Sequence, residues 1–196
     1  MVLHHVLNRW EQRSHLRKLN MVIETFFSEC GKQLLCTLAG ADSTIHQIRE
    51  QLLVSPKMSE VHYRQALKAV RGYKSSIAMH RVDLGALRSM LRTKRYFFVN
   101  LLQNPTLLEH EQFTDALMAL FHLTEELSAR DVDALSSEEL DHTRVDIQRA
   151  FDRLLQQWLC YMHYIRRHYP YFYAFALRTN PFAQPADAPA ATVPSS

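Results

Sequence analysis

Four glycines and seven prolines punctuate 196 residues, and Pro189 and Pro194 fall at the very end. Hairpins and barrels draw on frequent Gly, Asn and Pro turns, so this scarcity argues against a many-stranded sheet and for long helices. No alternating strand pattern competes. Cysteine is equally thin: Cys30, Cys36 and Cys160 form neither an even set nor a close C-x-x-C pair. That argues against a disulfide framework or a structural zinc site and suits a reducing compartment. Long apolar runs are missing too. The longest uncharged apolar stretches, 33–41 and 96–108, fall well short of the roughly 20 residues a membrane helix needs. The opening Met-Val-Leu-His-His-Val-Leu-Asn-Arg-Trp lacks a secretory h-region and a small-residue cleavage site. The expectation is a cytoplasmic protein that reaches the inner membrane, if at all, through a partner.

The catalytic motifs that can be recognised from spacing are absent as well. Gly31, Gly40, Gly72 and Gly85 supply no G-x-G-x-x-G and no G-x-x-x-x-G-K-[ST], so a phosphate-cradling loop has no basis. His110-Glu111 continues Gln-Phe-Thr rather than completing H-E-x-x-H, and no G-x-S-x-G elbow occurs. The balance leans away from an enzyme, and no cofactor is expected.

What the chain has is helical periodicity. Leu16, Leu19, Val22, Ile23, Phe26, Cys30 and Leu34 recur three and four apart, predicting a first helix to about Leu38 with Gly40 ending it. Asp42 or Ser43 then caps a shorter helix through Ile45, Ile48 and Leu52. A third runs from about Ser59 to Ile77, and a fourth from the cap Asp83 to the Asn104-Pro105 stop. A fifth carries Phe113, Leu117, Leu120, Phe121, Thr124 and Leu127. Ser137 to about His168 is the longest, with Ile147, Phe151, Leu154, Leu155, Trp158, Leu159, Met162 and Ile165 as its stripe. One-sided stripes predict an all-α antiparallel helical bundle of about five to seven helices. It should form one domain over 1–182, followed by a disordered Pro/Ala-rich tail over 183–196.

Charge is segregated. Residues 64–95 hold nine Lys or Arg against Asp83 alone, and residues 109–141 hold ten Asp or Glu against Arg130 alone. The basic block suggests an anionic surface, nucleic acid or lipid headgroups, since clustered cations gain affinity by releasing counterions. The acidic block offers a plainer alternative: two solvated faces that neutralise each other. No zinc-finger spacing, RNP-type strand or helix-turn-helix supports nucleic-acid recognition.

Eleven histidines near acidic residues raise a metal-binding alternative, with possible redox or hydrolytic activity. Glu109, His110, His122, Glu125 and His142 are its candidate ligands, because His and carboxylate three or four apart present two ligands from one helix face. Helical geometry speaks against it. At about 100° per residue from Phe113, His122 lies about 180° away and Glu125 about 120°. From Phe151, His142 lies about 180° and Asp146 about 220° away, so all four are expected to face outward. The aromatic cluster points elsewhere: aromatics this dense either pack the end of the bundle or form an interface, and Trp158, Tyr161, Tyr169, Tyr171 and Phe172 are the candidates for a subunit or partner interface, where buried aromatics serve as anchors.

Three blocks carry a family resemblance. Leu19-Asn20-Met21-Val22-Ile23-Glu24-Thr25-Phe26-Phe27-Ser28-Glu29 with Gly31, then residues 101–114, Leu-Leu-Gln-Asn-Pro-Thr-Leu-Leu-Glu-His-Glu-Gln-Phe-Thr, and last His168-Tyr169-Pro170-Tyr171 with Arg178-Thr179-Asn180-Pro181-Phe182 resemble the cytosolic helical region of bacterial two-transmembrane potassium-channel-like proteins. The resemblance implies a non-enzymatic interaction or regulatory module. It would act by homo-oligomerisation or by binding a membrane channel-type partner. The chain has neither the two membrane helices nor a filter sequence, so it would not itself conduct ions.

Overall fold

The computed structural model describes residues 17–183, residue 109 excepted. Its regular elements are helices, and among the described residues β-structure is limited to one isolated bridge, Asp42 to Ile77. Among the described residues eight α-helices follow one another: α1 (17–41), α2 (Arg49–Leu52), α3 (Glu60–Gly72), α4 (Leu84–Leu102), α5 (Pro105–Leu108), α6 (Glu111–Ala129), α7 (Ser137–His168) and α8 (Pro170–Arg178). The all-α expectation holds. Two of the eight, α2 and α5, are single turns. The expected tail at 184–196 lies outside the described residues.

Side chains set the helix starts. Ser59 accepts from the His62 amide and Asp83 from Ala86, each satisfying an amide that the first turn leaves without a partner. Ser136 and Glu139 form a full capping box, which fixes the start of α7 at Ser137. Two boundaries depart from expectation. Gly40 does not end α1, which runs on to Ala41, and α3 stops at Gly72 rather than reaching Ile77. There the Asp42 carboxylate accepts from the Ser76 amide, the Thr44 amide and hydroxyl, and the Tyr73 hydroxyl. These bonds hold 73–77 extended beside the end of α1.

Within α1, residues Phe27–Gly31 form a π-turn. A π-turn accommodates one extra residue, which allows the adjacent Phe26 and Phe27 both to reach full burial. Phe26 packs edge-on against Phe113 of α6 at 5.4 Å, and Phe27 against Trp158 of α7 at 5.4 Å and Tyr161 at 4.9 Å.

Helix α7 is the axis of the fold, in contact with α1, α3, α6 and α8. It runs antiparallel to α6, as the pairs Arg153 with Asp115 and His122 with Asp146 require, and α4 packs on α6, with Arg95 against Glu125. Because neighbours surround it, α7 buries far more than its stripe: Thr143, Asp146, Asp152 and Gln157 are also inside.

Candidate metal centre

The antiparallel register of α6 and α7 sets residues equally far from their connector side by side. His122, three turns into α6, therefore meets the first turns of α7. Its Nε2 lies 3.4 Å from Asp146 Oδ2, and the Nε2 of His142, one turn before Asp146, lies 3.2 Å from the same oxygen. The three potential ligand atoms lie within 4.8 Å of one another.

Asp146 is 2% exposed, while the His122 and His142 side chains are 45% and 53% exposed. The site is thus a carboxylate sunk between two helices with two imidazoles over it. Oxygen Oδ1 accepts from Arg149 Nη1 at 3.0 Å, which fixes the carboxylate plane. Oxygen Oδ2 is buried and accepts no hydrogen bond. Buried anionic oxygens are ordinarily paired, because leaving water uncompensated is expensive, and here the groups within reach of Oδ2 are two imidazole nitrogens, a donor set that a divalent ion can use.

The outward placement expected of Asp146 is therefore corrected. An angle measured from Phe151 assumes one buried stripe, but α7 is covered by four helices and its buried arc reaches round to Asp146. His122 and His142 do face outward, and they converge because they lie on two facing helices. That convergence cannot be seen from either helix alone.

Other candidate ligands are placed elsewhere. Glu125 is taken by Arg95, with Nε to Oε1 at 2.7 Å, and that hydrogen bond holds its carboxyl below the usual range. His110 caps α6: its Nδ1 accepts the Phe113 amide at 3.2 Å, and burial lowers its pKa. Glu109 lies outside the described residues. The aromatic candidates divide. Trp158 and Tyr161 are buried in the core, so they cannot anchor a partner, whereas Tyr169 is half-buried and Tyr171 and Phe172 stand exposed on α8.

The cysteines offer nothing nucleophilic at this centre. Cys30 is buried in the core, and burial pushes its thiol up to about 12. Cys160 is pushed up too, chiefly by burial.

Residues 15–178 match the family described as "Uncharacterized protein MJ1433, C-terminal helical domain". The chain is also similar to the "Uncharacterized protein MJ1433" of Methanocaldococcus jannaschii, 37% identical over 183 residues, which are 93% of this chain and 73% of that protein. No solved structure matches it.

Proposed function

We propose that this chain, a member of the MJ1433 C-terminal helical domain family, is a divalent transition-metal-binding domain that holds its ion between α6 and α7. The observation that carries the reading is the buried Asp146 Oδ2, without a hydrogen bond and faced by two imidazole Nε2 atoms. Two ligands each about 2.0–2.1 Å from a tetrahedral ion stand roughly 3.3 Å apart, close to the two nitrogen-to-oxygen distances here. Two imidazoles and one carboxylate suit Zn²⁺ or Fe²⁺ and leave positions for water or a further ligand. Arg149 would serve as the outer partner that orients the ligating carboxylate.

Protein stripped with a chelator and titrated with Zn²⁺ should take up one ion per chain by calorimetry and elemental analysis. His122→Ala, His142→Ala and Asp146→Asn should each weaken binding at least tenfold, and Glu125→Gln should not. Co²⁺ should show the intense visible bands of a low-coordinate site. If the wild-type protein retains no stoichiometric metal, the cluster is an ordinary group of ion pairs around Asp146.

A second reading, self-association, is favoured by Tyr171, which is 92% exposed on α8 beside the half-exposed Phe172 and Phe175. A second copy offering the same face would cover all three, as two-fold assembly requires. Sedimentation should then show a dimer that Tyr171→Ala with Phe172→Ala returns to monomer with its helicity intact; a wild-type monomer at high concentration rules it out. A pore-associated role rests on the three residue blocks alone. Pulling down a two-transmembrane channel with the intact domain would be its test.

A further inference from the structure

A cavity of about 600 Å³ opens between the first half of α4 and the connector from α6 to α7. Arg88, Ser89, Arg92 and Thr93 line it from α4, and Val132 and Asp133 from the connector. Arg88 and Arg92 are four residues apart, so their guanidinium groups share one face of the helix, about 6 Å apart at the Cβ atoms.

These two cations are unlike their neighbours. Lys94 pairs with Glu29 at 3.1 Å and Arg95 with Glu125 at 2.7 Å, so the second half of α4 is neutralised by α1 and α6. Neither Arg88 nor Arg92 makes an ion pair or hydrogen bond to any described residue, and Arg88 Nε is buried with no partner. The mutual neutralisation expected of the basic and acidic blocks is met by Arg95 and Glu125 and does not extend here. Thr93 spends its proton on the Ser89 carbonyl at 2.9 Å, and the Ser89 hydroxyl faces the cavity without a partner.

We infer that this cavity is a binding site for a phosphate group. Two forked guanidiniums and a hydroxyl present more donors than a carboxylate has oxygens, and they match the three terminal oxygens of a phosphomonoester. Asp133 stands at the opposite wall and disfavours any ligand with a second anionic group near the first. It accepts from a hydroxyl instead, so a hydroxyl-bearing phosphomonoester fits better than a strand of nucleic acid with its repeated charges. The phosphate can come from a free small molecule or from a lipid headgroup.

The test is titration of the full chain with glycerol 2-phosphate, and with sodium chloride at matched ionic strength, followed by calorimetry and thermal melting. Vesicles of phosphatidylcholine with and without lysophosphatidic acid, which keeps a free hydroxyl beside its phosphomonoester, provide the headgroup arm. Saturable binding of the soluble ester, or of lysophosphatidic acid vesicles alone, is expected. Arg88→Gln and Arg92→Gln should each weaken it at least tenfold, while Lys68→Gln, on exposed α3, leaves it unchanged. A chloride titration that reproduces the response, binding equally weakened by Lys68→Gln, or binding insensitive to both arginine variants would overturn the assignment. So would retention on DNA that survives Arg88→Gln and Arg92→Gln in the absence of ester binding. An unchanged helical spectrum distinguishes loss of binding from loss of fold.

Discussion

At the scale of single residues, polar side chains here are placed by what they accept. His110 holds the start of α6 through an unprotonated Nδ1, and its burial favours the neutral ring. An imidazole with a lowered native pKa takes up its proton less readily when folded than when unfolded. Its contribution to stability is therefore complete above the unfolded value, near 6.5, and is lost as pH falls from there through the lowered native value. Asparagine caps without titrating. The urea midpoint of the wild-type protein should accordingly fall more steeply between pH 7.5 and 5.5 than that of His110→Asn; parallel profiles would show that the cap does not depend on the neutral ring. Asp146 shows what one sequence hides at this scale. Its spacing from His142 was visible, but its burial depends on neighbouring helices, α6 among them, packing against α7, which no residue within α7 announces.

At the scale of elements, the starts of helices were the most legible features. Ser59, Asp83 and Ser136 act through bonds within three residues of themselves, so the local sequence contains the whole cause. The end of α3 was not legible, because Asp42 holds the following strand-like segment from across the fold. The π-turn was equally hidden. A three-and-four pattern accommodates Phe26 or Phe27 on the buried face, and only the packing of both rings reveals the extra residue. Two glycines of α1 should respond oppositely to alanine. At Gly31 an added Cβ would meet Phe26 Cε1 and Phe27 Cδ1, each at 2.7 Å, inside the core, so Gly31→Ala should cost about 1–3 kcal/mol. At Gly40 nothing lies within 4 Å, so Gly40→Ala should add up to about 1 kcal/mol through helix propensity. Equilibrium urea unfolding measures both, and a neutral Gly31→Ala would mean that the rings move aside freely.

At the scale of the whole molecule, the fold class followed from scarce turns and one-sided stripes, and the arrangement around α7 did not. No helix among the described residues is long and apolar enough to cross a membrane. The proposed metal centre joins α6 to α7 and so acts on the entire fold. Ion present at about one hundred times its dissociation constant should stabilise the native state by about 2.7 kcal/mol. The melting temperature should rise with Zn²⁺ in the wild-type protein and stay fixed in His122→Ala.

The position of α1 has a consequence for synthesis. A ribosome makes this helix before α6 and α7, yet Phe26 is completed by Phe113, and Phe27 by Trp158 and Tyr161. Most of the chain must emerge before those rings find their native cover. Until then the nascent helix displays bare aromatic surface, the kind of exposure that invites premature association and chaperone capture. Helix α1 is made before its partners and is buried only with them.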